Sequence, residues 1–442
     1  MDTIAAIATP PGKGAIAIVR VSGPQTAALA SRVFRSRRPI EPRVATYGTV
    51  VDETGAGIDR GIALFYPAPN SYTGEDSLEL QVHGSPVVAR EVVRALIACG
   101  ARYAGPGEFT RRAFLNGKLD LQAAGAVADL IDAETRSAAR AALANLSGGL
   151  AGRIRSLRAQ IAGVLEELAA AIDFPDEVAE PGAAKLKSQL EPVLEQLRLL
   201  RRDGEAGRLV REGVPVAIVG PPNAGKSSLL NALLGEDRVL VSEIPGTTRD
   251  TVEESITVDG LQLRLIDTAG IRAHADRLES AGIERTHRAL QNARVALVVI
   301  DGSVPPSSES DAVLSATAKN RRVVFINKAD AGLAQGHAGD VVGSVREEAT
   351  IQAVRNAVGK AAWNGDRPDL ERPHLASLVE LQAVDDAIAA MEDAMRTLHA
   401  GEPPDLAAGD LHRAFAALGH LTGDAAGEEL LGAIFARFCI GK

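Results

Sequence analysis

Gly220-Pro221-Pro222-Asn223-Ala224-Gly225-Lys226-Ser227 decides how the rest of this chain is read. The stretch fits G-x-x-x-x-G-K-[ST], a loop pattern that cradles phosphates, and its neighbours supply the context such a loop needs. The apolar run from Val214 to Val219 before it reads as a buried strand, and Ser228 to Leu234 after it repeats apolar residues at helical spacing. Glycines let backbone N–H groups wrap phosphates, and the helix N-terminus adds the positive end of its dipole. The candidate phosphate contacts are Asn223, Ala224, Gly225, Lys226, Ser227 and Ser228. Lys226 would reach the β and γ phosphates, and the Ser227 hydroxyl would ligate Mg²⁺. An accidental glycine turn is the bland alternative, and strand, turn and helix in sequence argue against it.

Three further segments follow in an order that fits a nucleotide site. Asn327-Lys328-Ala329-Asp330 ends the apolar strand Val323 to Ile326 with N-K-x-D. A carboxylate at Asp330 can accept from N1–H and the exocyclic amine of guanine, donors that adenine lacks in that arrangement. Leaving such a carboxylate unpaired costs about 1–3 kcal/mol or more, so GTP is selected over ATP, with Lys328 covering the base. Asp267-Thr268-Ala269-Gly270 ends another strand with D-x-x-G, placing Asp267 toward Mg²⁺ and the Gly270 amide toward the γ-phosphate. Thr248, with Thr247 beside it in Gly246-Thr247-Thr248-Arg249-Asp250, can complete the Mg²⁺ shell. Together these predict a P-loop GTPase. Ile271 stands where a water-orienting glutamine would be expected, and an isoleucine cannot position water. Arg272, His274, Asp276, Arg277 and Glu279 are the candidates to replace it.

At 442 residues the chain has room for roughly three domains. With 46% hydrophobic and 24% charged residues it can bury real cores. A net charge of −9 argues against broad electrostatic capture of nucleic acid, so RNA contact must come from local patches or a partner. Cys99 and Cys439 offer no disulfide framework. Met1-Asp2-Thr3 shows no signal-peptide pattern, and no apolar run approaches the roughly 18 residues of a membrane span. The expectation is a cytoplasmic protein without a membrane segment.

Residues 1–118 read as an α+β domain, with strands over 3–9, 15–22, 44–51, 61–66 and 78–82 and helices over 24–34 and 87–99. From 119 to 212 the chain is rich in Ala, Leu and Arg and helical in period, with breaks near Ser147-Gly148-Gly149 and Phe174-Pro175-Asp176. An α/β pattern fills 213–368, and 369–442 is helical again. A helical region split by an α/β unit predicts one domain inserted in another.

The combination resembles the MnmE (TrmE) family of tRNA-modification GTPases over nearly the whole chain. The residues that carry it are Thr3-Ile4-Ala5-Ala6, Thr9-Pro10-Pro11-Gly12, Arg20-Val21-Ser22-Gly23 and Asn70-Ser71-Tyr72-Thr73-Gly74-Glu75-Asp76. Pro106 to Thr110, Asn116 to Asp120, Ile172 to Glu177 and the terminal Cys439-Ile440-Gly441-Lys442 complete it. The resemblance implies an N-terminal folate-binding and dimerising domain, a discontinuous helical domain and an inserted G domain. It implies a homodimer that works with the flavoprotein MnmG (GidA) on the wobble uridine of certain tRNAs. The one-carbon unit would come from a tetrahydrofolate derivative, in 5-formyl or methylene form, contacted by Arg20, Glu79, Lys118 and Lys442. It further implies that K⁺, held by Asn223 and carbonyls around Ser242 and Ile244, stands in for an arginine finger, and that Glu279 orients water. Cys439 reads equally as a nucleophile near the folate or as a small buried residue fixing the tail. Val341-Val342-Gly343-Ser344-Val345 is a degenerate form of the family's guanine-contacting Ser-Ala pair. Two rivals stand at this point. One is a ribosome-assembly GTPase switch; the other is a folate-dependent aminomethyl transferase carrying an unrelated G domain. A switch has no need for Arg20, Glu79, Lys118 or the Cys-Ile-Gly-Lys tail.

Overall fold

The computed structural model describes residues 1–235, 254–266, 290–363, 372–403, 405–423, 431, 432, 435, 436 and 438–441. Contacts divide the chain into two units. The first comprises Met1–Ala128, Asn145–Val193 and Asp386–Lys442, and the second Asp129–Ala144 and Leu194–Asp385. No helix among the described residues is long and apolar enough to cross a membrane.

The first unit is built on a seven-stranded sheet. Its strands are β1 (Ile4–Ile7), β2 (Ile16–Ser22), β3 (Phe34–Arg35), β4 (Thr46–Val51), β5 (Gly57–Tyr66), β6 (Ser77–His83) and β7 (Arg102–Tyr103), in the order β3-β4-β5-β6-β2-β1-β7. Alternation along the strands decides which face is buried. Ala17, Val19 and Val21 of β2 and Leu78, Leu80 and Val82 of β6 form one face. They pack with Leu29 and Val33 of α1 (Thr26–Val33) and Val92, Val93 and Leu96 of α2 (Pro86–Ala98). Each such side chain, fully buried, contributes about 1.5–3 kcal/mol of hydrophobic stabilisation. The intervening residues, Arg20, Glu79, Gln81, Ile62 and Arg60, lie on the opposite face.

Helices α3 (Glu108–Leu115) and α4 (Leu121–Ile131) follow, then α5 (Arg136–Leu146) and α6 (Gly149–Asp173). Along α6 Leu150, Ile154, Leu157, Ile161, Val164 and Leu168 recur every three or four residues, and all are buried. That stripe faces α12 (Asp405–Thr422), whose Leu411, Ala414 and Leu418 are also buried. The chain's end packs back on α4: Leu431, Phe435 and Phe438 bury with Leu121 and Ala124.

The second unit holds a six-stranded sheet in the order β13-β12-β11-β8-β10-β9. These are β8 (Val214–Val219), β9 (Glu254–Val258), β10 (Leu261–Ile266), β11 (Val295–Asp301), β12 (Arg321–Asn327) and β13 (Val341–Val342). β8, β10, β11, β12 and β13 run parallel, and β9 joins the edge antiparallel. Continuous apolar runs such as Val-Ala-Leu-Val-Val-Ile in β11 follow from burial on both faces. Val216, Leu297, Val299 and Phe325 pack on one side with α8 (Lys226–Leu234) and α10 (Glu348–Trp363). Ala217, Val298, Ile300 and Val324 pack on the other, beside α9 (Ser308–Ala316). Helices α7 (Ala183–Glu212) and α11 (Leu378–Ala400) complete the chain.

The expected strands, helices and breaks near 147–149 and 174–176 are present. β3, β7 and α3 were not legible in the sequence. A two-residue strand has no periodicity, and α3 is only eight residues, half of them polar, entered through Gly107.

Candidate functional site

The nucleotide elements meet at the carboxyl ends of parallel strands, where open α/β sheets bind ligands. β8, β11 and β12 are neighbours in the order β12-β11-β8, so the segments after them emerge side by side. After β8 comes Gly220 to Gly225; after β11, Asp301 to Ser303; after β12, Lys328 to Asp330.

Asn327 ties these segments together. It is 1% exposed, its Nδ2 donates to the Ala224 carbonyl at 2.9 Å, and its Oδ1 accepts from the Val345 amide at 3.1 Å. This residue of the N-K-x-D motif therefore braces the phosphate loop. Gly225 makes the brace possible: a Cβ there would stand 2.2 Å from Asn327 Nδ2, and its φ of +100° is one that side-chain-bearing residues avoid. Lys226 opens α8, and its Nζ donates to the carbonyls of Gly220 at 2.8 Å and Pro221 at 2.7 Å. Burial pushes the Lys226 amine below its ordinary value. Asn223 sits exposed in the loop at φ +61°, with Ser227 and Ser228 exposed at the start of α8.

The base-reading segment is held from two sides. Lys328 Nζ contacts Asp301 Oδ2 at 2.6 Å, and Gly302 N donates to the Asn327 carbonyl at 2.8 Å. Burial works to raise the Asp301 carboxyl, but Lys328 and the Ser303 hydroxyl outweigh it and hold it below its ordinary value. Asp330 faces Arg346, whose Nη1 lies 3.2 Å from Oδ2. Ala329 N donates to the Gly343 carbonyl at 3.1 Å, which brings Ser344-Val345-Arg346 beside Asp330. The segment at 341–345, degenerate as a motif, thus begins with the edge strand Val341–Val342 and runs on alongside the N-K-x-D loop. Asp301 and Arg346 were missed from sequence. An acid ending an apolar strand beside two others is a signal for Asp301; nothing local distinguishes Arg346.

In the first unit, Arg20 and Glu79 are directly opposed on β2 and β6 and form an ion pair at 2.8 Å. The Arg20 guanidinium lies 5.6 Å from the Tyr72 ring centroid and 5.8 Å from that of Phe109. Tyr72 Oη and Thr110 Oγ1 are 2.9 Å apart. Lys118 runs its stem past the same loop: its Cγ and Cδ are 3.3 and 3.4 Å from where a Cβ on Gly74 would be. Beneath the loop, Arg112 is buried among Glu75, Glu108 and Asp2. Tyr72 and Phe109 lie in segments the sequence singled out, yet no role for them was readable there, and Arg112 lies between two such segments.

The tail reaches this sheet as well. Ile440 bridges Pro106, and Gly441 approaches β1 so closely that a Cβ would stand 2.2 Å from the Ile7 carbonyl. At φ +101° this position also requires glycine, which explains that residue of Cys-Ile-Gly-Lys. Cys439 is exposed, so the reading of it as a small buried residue does not hold; Cys99 is buried in the core. Ser242, Ile244, Thr247, Thr248, Asp267, Thr268, Ala269, Gly270, Glu279 and Lys442 lie outside the described residues.

Residues 3–118 match the family model described as GTP-binding protein TrmE N-terminus, and residues 121–439 match the MnmE helical domain. A tRNA modification GTPase MnmE of Thermotoga petrophila is 40% identical over 100% of both chains. The protein of that name from Azoarcus sp. is 42% identical over 100% of this chain and 98% of its own. The one from Chloroflexus aurantiacus is 41% identical over 100% of both. Two family models and full-length identity, on a chain whose glycine loop is braced to its N-K-x-D strand, place it: the chain belongs to the MnmE family of tRNA modification GTPases.

Proposed function

We propose that this chain hydrolyses GTP to drive modification of carbon 5 of the wobble uridine in certain tRNAs, working with a flavoprotein partner of the MnmG (GidA) type. The proposed product carries an aminomethyl or carboxymethylaminomethyl group. The observation that carries the GTP reading is the Asn327 brace, which sets the phosphate loop and the guanine-reading carboxylate in one register. Lys226 and the amides of 223–228 would hold the β and γ phosphates, Ser227 and Thr248 (with Thr247 beside it) would hold Mg²⁺ with Asp267 behind a water, and the Gly270 amide would sense the γ-phosphate. The exposed Asn223, with the carbonyls of Ser242 and Ile244, suits a K⁺ ion. Bound between two paired G domains, such a cation would offset charge developing on the phosphates. Glu279 orients the attacking water.

The first unit supports a tetrahydrofolate site. The Glu79 carboxylate, oriented by Arg20, suits pterin donors, the rings of Tyr72 and Phe109 suit its face, and Lys118 and Lys442 suit its glutamate tail. In this reading 1–118 is the folate-binding and dimerising domain, 119–212 and 369–442 are halves of the helical domain, and 213–368 is the G domain. Cys439, exposed on a tail anchored beside β1, is available as a nucleophile. The family membership favours tRNA modification over a ribosome-assembly switch. Mass spectrometry of tRNA nucleosides from cells lacking the protein tests the reading. The modified wobble uridine is expected to disappear, to return with the wild-type chain, and not to return with Asp267→Ala. An unchanged nucleoside profile would overturn it.

A further inference from the structure

The sheet of the first unit ends in a basic edge that the GTP and folate readings leave unused. Residues 31–50 carry five arginines against one carboxylate, Glu41, in a chain whose net charge is −9. Arg35 on β3, Thr49 on β4 and Arg60 on β5 are directly opposed in register, so all three stand in one row on one face. Arg37 and Arg38 follow in the exposed loop after β3, and Arg43 closes that loop against β5, where its amide donates to the Phe65 carbonyl. All five of these arginines, at 35, 37, 38, 43 and 60, are exposed.

Their partners are informative. Arg35 donates to the Ser31 carbonyl, and Arg43 donates to the Asn70 carbonyl and lies 5.9 Å from the Tyr66 ring centroid. Among the described residues none of the five forms an ion pair, whereas Arg94, Arg102, Arg112, Arg198, Arg201 and Arg413 each sit against carboxylates. Two of the nearby acids are engaged elsewhere. Asp59 bonds His83 and Asp52 bonds its own turn at Thr54 and Ala56. Tyr47, two residues from Thr49 on β4 and so on the same face, is 68% exposed. Unpaired guanidinium forks beside an exposed ring match phosphates and an unstacked base.

We propose that this β3-β4-β5 edge holds the backbone of the tRNA. The inference rests on tRNA being the substrate. The placement gives it a purpose, because Arg60 and Leu64 share a face of β5 and Leu64 is directly opposite Glu79. Four residues of strand span about 13 Å, so RNA held on the edge lies within a nucleotide or two of the Arg20–Glu79 pair.

The test is anisotropy of a labelled tRNA transcript with uridine at the wobble position, titrated with the full-length chain between 50 and 200 mM salt. Each phosphate contact contributes about 0.7–0.9 to the slope of log K against log salt. Arg37→Ala with Arg38→Ala is expected to flatten that slope by about 1.5 and to weaken binding about tenfold at the low-salt end, with GTP hydrolysis unchanged. The Lys pair at the same positions should restore most of the slope, since charge is kept. Arg60→Ala should flatten it by a further unit at most. Unchanged affinity and slope in all three variants would overturn the proposal, as would no measurable binding by wild type at 50 mM salt. A change of oligomeric mass without a change in RNA binding would overturn it too, making the edge an interface between copies. Failure of the tRNA-modification reading itself shows elsewhere, in the nucleoside profile of the deleted strain.

Discussion

Asn327→Ala isolates the brace between phosphate loop and base-reading strand. The substitution removes the 2.9 Å bond to the Ala224 carbonyl and the 3.1 Å bond from the Val345 amide. Ala224 is fully buried, so its carbonyl is left without water; Val345 is half-buried and regains some. At about 1–3 kcal/mol for each unpaired buried group, the sum is about 2–3 kcal/mol. In a unit of this size that lowers the unfolding midpoint by roughly 2–4 °C per kcal/mol. A nucleotide must span both segments, so about 2 kcal/mol should reappear as a roughly 30-fold rise in Kd for GTP and GDP alike. Gly225→Ala supplies the control. In the wild type its Cβ collides with Asn327 Nδ2 and its φ is strained; beside Asn327→Ala only the strain remains, about 1–3 kcal/mol. The double variant is therefore expected to be milder than the sum of the singles by at least about 1 kcal/mol. Fluorescent guanine-nucleotide titration and thermal unfolding measure both quantities. A Kd for Asn327→Ala within about twofold of wild type, or additivity within about 0.5 kcal/mol, would refute the brace.

Two further expectations concern charge. Burial alone would raise the Glu108 carboxyl, but its hydrogen bonds from Arg102, the Gly105 amide and Arg112 hold it at about 2, below the ordinary value of 4.5. A depressed pKa stabilises the fold above the ordinary value, and that stabilisation is lost as pH falls. The thermal midpoint advantage of wild type over Glu108→Gln should be full at pH 6 and close between 4.5 and about 2; an advantage that persists at pH 2 would contradict the network. In the proposed guanine site Arg346 would compete with the base for Asp330 through an exposed pair worth at most about 1 kcal/mol. Arg346→Ala should tighten GDP binding up to about fivefold at low salt, with the gain vanishing as salt screens the pair; weaker binding would show that Arg346 contacts the nucleotide itself.

Local patterns carried much of this fold, and long-range register carried the rest. The phosphate loop was legible because strand, glycines and helix are contiguous in sequence. The Arg20–Glu79 pair joins residues 59 apart, and only the β2–β6 register makes them neighbours. From the residues alone each reads as ordinary surface charge. Tyr72 and Phe109 reach Arg20 from a loop and a short helix, where neither period 2 nor period 3.6 announces which way a ring points. The basic edge was half legible: the arginines of 35–43 are plain in the sequence, but Arg60 joins them only through pairing across β4.

Asn327 shows how topology can give a motif residue a structural role besides the one its motif suggests. As a string, N-K-x-D presents Asn327, Lys328 and Asp330 as three successive contacts to a base. In the sheet, β12 and β8 are separated by β11, so about 10 Å lies between the strand ending at Asn327 and the strand feeding the phosphate loop. No short side chain crosses that gap in the plane of the sheet. It is closed instead because the loop leaves β8 pressed against β11, where a Cβ on Gly220 would stand 2.2 Å from the Val299 carbonyl, and brings the Ala224 carbonyl to Asn327, and because Gly225 leaves room for the amide. An asparagine suits the position since it donates to one segment and accepts from another at once. An aspartate would lose the bond to Ala224, and a leucine would bury both partners unpaired. The glycine of one motif and the asparagine of the other are thus a single structural requirement, written about a hundred residues apart.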